Sequence, residues 1–154
     1  MSDKYVNRLK SVASEYDAVR EALAYVNVNW QKQSIYSQVS QKLTPKHLIS
    51  ASASIESVFI IRLFTTFEGI LKEHLSRNHP TKRIPEDARV MWLIDQVAIR
   101  QTPRIRSELR EKVHEVRKYR NSLVHAGYAP SPRIIFNDAL ATLAKYSHIL
   151  PDPF

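Results

Sequence analysis

Cysteine is absent from the 154 residues. That excludes disulfide bonds, a thiolate nucleophile and any cysteine-ligated zinc or iron–sulfur centre, and it suits a reducing compartment. Only two glycines occur, Gly69 and Gly127. A strand-rich fold with many tight turns needs more of them, so a helical architecture is expected. Long apolar runs are also missing: Val58-Phe59-Ile60-Ile61 stops at Arg62, and charged residues are interspersed from Met1 to Lys10. Neither a signal-peptide core nor a membrane span is expected, and the cytoplasm is the expected location. A glycine-rich phosphate loop and a Gly-x-Ser-x-Gly nucleophile turn are lacking as well, which removes two common routes to phosphate binding and acyl transfer.

What the chain has instead is positive charge. Lys and Arg number 23 against 15 Asp and Glu, a formal net charge of +8. Such a surface attracts polyanions, of which nucleic acid is the commonest inside cells, although charge alone equally describes a solvated face. The length suits one compact domain spanning residues 1–154.

Apolar periodicity divides the chain into helices. Tyr5, Leu9, Val12, Tyr16, Val19, Leu23, Val26 and Trp30 recur at spacings of four and three, the stripe of a long amphipathic helix. Gln31 to Leu43 reads as a connector or short helix. Thr44-Pro45 offers an N-cap followed by proline at the first helical position, where its missing N–H does no harm. The broad apolar face from Leu48 through Ile55, Phe59, Leu63, Phe67, Ile70 and Leu71 predicts a central helix that fades near Asn78-His79-Pro80. A third helix should open at Pro85-Glu86-Asp87 and end at Thr102-Pro103, a fourth should start near Arg104, and a fifth should start at Ser131-Pro132 and stop at Pro151. Long helices with short connectors pack most simply as neighbours, so an all-α, up-and-down bundle of four or five helices is expected.

The fourth helix carries the residues of chemical interest. Leu109, Val113, Val116 and Leu123 trace an apolar seam with a gap where Arg120 stands, and a cation in a core stripe is penalised unless it is paired or opens onto a cavity. Arg117, Asn121 and His125 form a polar row at four-residue spacing, flanked by Lys118 and Ser122. On an unbroken helix Arg120 and His125 point about 140° apart. Gly127 is therefore expected to act as a left-handed C-cap that lets the His125 segment swing round. The same residues also allow a plain structural reading, with His125 against the last helical carbonyls and the Arg120 head snorkelling into water. His114-Glu115-Val116-Arg117-Lys118 falls short of a zinc-protease helix because Lys118 stands where the second histidine is required, and no metal or other cofactor is expected.

The string Arg120-Asn121-x-x-x-His125, near the end of a late helix in a small helical bundle, resembles the Arg-(four to six residues)-His signature of HEPN proteins. Phe67-Glu68-x-x-Leu71 in the central helix is similar to a recurrent feature of several HEPN branches. The resemblance implies a metal-independent endoribonuclease, the toxin or effector of a bacterial defence or toxin–antitoxin system. Such a protein works as a homodimer with a composite site and has an antitoxin protein as a further possible partner. It implies His125 as the acid–base residue, Arg120 as the phosphate clamp and Asn121 as the residue that orients His125 or bonds the phosphate. Arg117, Lys118 and Ser122 would line the RNA path, and Glu68 would pair with Arg120. HEPN branches controlled by tyrosine modification carry that tyrosine two residues after the histidine, whereas Ala126 and Gly127 here precede Tyr128, so such control is not expected. A non-catalytic HEPN module that binds RNA, a nucleotide or a protein is the alternative, and a purely structural adaptor a third.

Overall fold

A computed structural model describes residues 3–29, 44–78, 89–101, 104–125, 127–128 and 130–151. Five helices lie within them: α1 (Asp3–Asn29), α2 (Pro45–Asn78), α3 (Val90–Arg100), α4 (Ser107–Val124) and α5 (Phe136–His148). The fold is an all-α bundle, as the glycine scarcity and the periodicity predict. The Gln31 to Leu43 connector, Pro85-Glu86-Asp87 and Thr102-Pro103 fall outside the described residues.

The start of α2 follows its local chemistry. The Thr44 hydroxyl accepts the His47 backbone N–H at 3.4 Å and the His47 ring returns the favour, accepting the Thr44 N–H at Nδ1 at 3.3 Å. This is a reciprocal cap in which histidine stands where glutamate or glutamine is usual. Downstream of Ile55 the helix is buried on a wide face, with Phe59, Ile60, Leu63, Phe64, Phe67, Ile70, Leu71 and Leu75 all in the core. It packs against each of the other four helices, the arrangement its broad apolar stripe implies. By length and apolarity alone α2 would suffice to cross a bilayer. In the bundle, however, its Glu56 and Arg62 make ion pairs with Arg133 and Glu15, and its C-terminal half is the axis of the core.

Three boundaries differ from the sequence expectation. α3 begins only at Val90, after an extended Arg89, and not with the acids of Pro85-Glu86-Asp87 in its first turn. Ser131-Pro132 does not open the last helix; residues 130–135 are non-helical and α5 begins at Phe136. Arg133 reaches Glu56 of α2 at 3.3 Å and Ile134 packs against the core, so tertiary contacts hold this segment outside the helix that its capping signal favours. The same helix ends at His148 and leaves Leu150, still fully buried, beyond it.

All five helices feed one apolar cluster. Tyr146 of α5 lies wholly inside it, and its hydroxyl donates to the Ile94 carbonyl of α3 at 2.7 Å. Burial pushes this phenol well above its ordinary value, the Asp95 carboxylate adds to the effect, and Arg110 opposes it. The unfolded chain loses that proton above about pH 10 while the folded chain keeps it, so the contribution is complete below that pH and is lost as pH climbs further. Urea midpoints measured between about pH 9 and about pH 11 should therefore fall less steeply for Tyr146→Phe than for the wild type. Equal slopes would refute the assignment. At neutral pH the same variant should be less stable by about 0.5–1.5 kcal/mol, the usual worth of one hydrogen bond.

Candidate functional site

The apolar seam of α4 is continuous. Leu109, Val113 and Val116 are buried and the next position inward is Tyr119, only 9% exposed, with Leu123 packed beyond it. The gap expected at Arg120 is thus filled by the ring of Tyr119, because a helical stripe can step by three after Val116 as well as by four. Arg120 sits on the shoulder of the seam, half-buried. Its Nη1 donates to Asn121 Oδ1 at 3.1 Å, while its Nε is shielded from solvent and has no hydrogen-bond partner. The guanidinium makes no ion pair with any described carboxylate.

His125 is the residue at which the helix stops. Its backbone is extended, with φ −119° and ψ 113°, and its N–H donates to the Asn121 carbonyl at 3.0 Å. The carbonyl of His125 then accepts the Tyr128 N–H at 3.1 Å, and the two rings lie with centroids 5.8 Å apart. Gly127 does not make the turn expected of it: its φ lies outside the left-handed region, and a Cβ there would meet nothing within 4 Å. The chain leaves the helix at His125 itself, whose N–H still closes the last helical bond, and no hydrogen bond or ring contact joins its imidazole to Arg120 among the described residues. The ring is exposed. Asn121 therefore serves both residues, its side-chain oxygen receiving Arg120 and its backbone oxygen anchoring His125.

The remaining predicted residues divide between two faces. Arg117 and Lys118 line a cleft of about 440 Å³ between α3 and α4, with Met91, Asp95 and His114 among its walls. Arg120, Asn121 and His125 are not part of that wall. Arg117 has a shielded, unpartnered Nε, as Arg120 has, and Lys118 is exposed. The Ser122 hydroxyl donates to the Tyr119 carbonyl at 2.7 Å, a backward bond within the helix that occupies its proton. Glu68 does not hold Arg120. Its Oε1 pairs with Lys72 Nζ at 2.8 Å, one turn along α2, where the short i,i+4 geometry outcompetes a partner on another helix. Glu68→Gln should accordingly change stability by no more than about 0.5 kcal/mol. It should also leave any activity at Arg120 unaltered; an activity loss larger than the stability change would restore the pairing with Arg120.

The sequence reading missed one pairing. His114 Nε2 lies 3.1 Å from Asp95 Oδ1, and Arg110 Nε approaches the same oxygen at 3.8 Å. These residues lie on different helices, and only the adjacency of α3 and α4 across a short connection could have signalled the contact. With Nε2 engaged and Nδ1 shielded without a partner, neither ring nitrogen of His114 is open to a substrate, so the pair ties α3 to α4. Among the described residues no group of three or more His, Asp or Glu is placed to hold a metal ion. Compared with known proteins, the chain matches no family model, no curated protein and no solved structure, and the site stands on its own geometry.

Proposed function

We propose that the chain is an RNA-directed nuclease of the HEPN type, cutting without a metal ion, with Arg120, Asn121 and His125 as its working group. One observation supports this above the others: a guanidinium with no described carboxylate partner bonds the Asn121 side chain at the helix end where His125, held there by its backbone N–H on the Asn121 carbonyl, presents an exposed imidazole. A guanidinium bonded only to a neutral amide keeps its full charge for an incoming phosphate. Imidazole is the side chain suited to exchanging protons near neutral pH.

In the proposed reaction His125 takes the proton of a ribose 2′-hydroxyl as that oxygen attacks the adjacent phosphorus. The bond from phosphorus to the 5′-oxygen breaks and a proton is delivered to the leaving oxygen. A 2′,3′-cyclic phosphate and a 5′-hydroxyl result, and a strand without 2′-hydroxyls is not cut. Arg120 stabilises the charge that grows on the phosphate oxygens. A single imidazole cannot remove and deliver protons at the same instant, which favours a homodimer with the two His125 residues at a composite site. The overall charge of +8 draws RNA towards the protein. A cytoplasmic toxin or effector, restrained by an antitoxin protein, is the setting this activity suits.

The purified chain should cleave RNA in the presence of a chelator and leave cyclic phosphate ends, and a 2′-deoxy substitution at the cut position should block it. Cleavage that stops on chelation would overturn the proposal. RNA held without being cut would assign the same residues to a binding module instead.

A further inference from the structure

At the opposite end of α4 the bundle leaves a cleft of about 650 Å³ between α4 and α5, within the range of about 300–1,000 Å³ typical of small-molecule sites. Its apolar lining is aliphatic, from Leu109, Ala141 and Ile149. Its rim carries Arg104, Arg106, Lys112 and Lys145 against a single acid, Glu108.

Cations elsewhere in the bundle find carboxylates across helices: Arg8 meets Glu73, Arg62 meets Glu15 and Arg133 meets Glu56. None of the four rim cations does so among the described residues. Like charges gathered on one rim repel, and an anion relieves that repulsion.

The charge is also localised. The groove continues into a smaller cleft of about 360 Å³ that shares Lys112, Ala141 and Thr142, but there Lys112 and Arg133 face Glu115 and Asp138. Only the end near Arg104 and Arg106 is strongly positive. Arg106 immediately precedes the first turn of α4, and no side chain caps that turn, so its free N–H groups and the positive end of the helix dipole point the same way.

We infer that this cleft binds a phosphate ester carrying an apolar body. The phosphoryl oxygens meet the guanidinium groups of Arg104 and Arg106, whose forked donors match phosphate geometry. The apolar body covers Leu109, Ala141 and Ile149. The 18 residues of α4 place its two ends about 27 Å apart, so this site is separate from the one at His125 and does not depend on the nuclease reading.

Calorimetric titration of the full chain tests the inference with four probes: ADP, pyrophosphate, octyl phosphate below its micellar range, and inorganic phosphate. An ester should bind about tenfold or more tightly than its inorganic counterpart, the gain expected from burying a small apolar group. ADP exceeding pyrophosphate identifies a nucleotide-like ligand; octyl phosphate exceeding phosphate identifies an aliphatic one. The double variant Arg104→Ala, Arg106→Ala should lose about tenfold or more in affinity for the preferred ester. Ala141→Trp, a change at an exposed position, should weaken ester binding while sparing pyrophosphate. His125→Ala should bind as the wild type does. If neither ester exceeds its inorganic counterpart, or if the arginine variant keeps its affinity, the inference is overturned.

Discussion

His125→Ala should cut RNA about a hundred- to ten-thousandfold more slowly than the wild type, the range a positioned acid or base contributes. Arg120→Ala should lose about a hundred- to a thousandfold, as when one donor to a developing oxyanion is removed. What separates these variants from ordinary damage is stability. His125 is exposed and its ring lies beside that of Tyr128, its one ring contact among the described residues, so its removal should barely move the unfolding transition. Arg120 goes further. Its Nε is already shielded without a partner, and an unsatisfied buried donor is itself destabilising by about 1–3 kcal/mol. Deleting it should leave the protein as stable as before or more so, while its activity collapses. Arg120→Lys keeps the charge but loses the fork and the geometry of the Asn121 bond, and should recover only part of the rate. Single-turnover cleavage and thermal unfolding on the same samples decide the matter: equal cutting by wild type and both alanine variants would sink the proposed chemistry.

Much of the bundle is legible in the sequence, and the departures have identifiable causes. Thr44-Pro45 marked the start of α2 correctly because a capping signal is local, and nothing distant competes with it. Ser131-Pro132 looked the same and failed, since Arg133 and Ile134 are engaged by α2 and the core. In α1 the apolar stripe runs the whole length of the helix, yet only Tyr5, Leu9, Val12 and Tyr16 are fully covered; Val19 is 41% exposed. Periodicity names the face that can be buried, not how far a partner extends along it.

The site was legible in a similar, partial way. Arg120 and His125 stand out as a motif, but the core seam has no vacancy at the arginine, because Tyr119 occupies that place. A tyrosine fits either a core or a surface position, and the pattern could not choose. Gly127 advertised a left-handed turn that the backbone does not make there, since the helix ends instead through an extended His125. The α4–α5 cleft could not have been anticipated: its cations come from the approach to α4, its first turns and the end of α5, and only packing brings those segments together.

The largest effect on stability is expected at Phe67. This ring is fully buried on α2, tilted against Phe64 at 5.8 Å and edge-on to Tyr146 at 5.5 Å. Tyr146 in turn reaches the Ile94 carbonyl, so Phe67 backs the aromatic side chain that links α5 to α3. Phe67→Ala should cost about 3–5 kcal/mol, the transfer free energy of the ring plus that of the cavity it leaves. Against a total of about 5–15 kcal/mol for a domain of this kind, that is enough to lower the melting temperature by roughly 6–20 °C. Tyr25→Ala, at a residue that is 63% exposed, should shift it by no more than about 2 °C, since surface changes stay within about 0.5 kcal/mol. The two kinds of damage should also separate in function. Well below its melting temperature, folded Phe67→Ala should retain the cleavage rate of the wild type, because α4 and its terminal His125 are unchanged once the bundle forms. His125→Ala should show the reverse, full stability without cleavage. A Phe67→Ala protein that melts within about 3 °C of the wild type would mean that the α2 face is not the centre of the core.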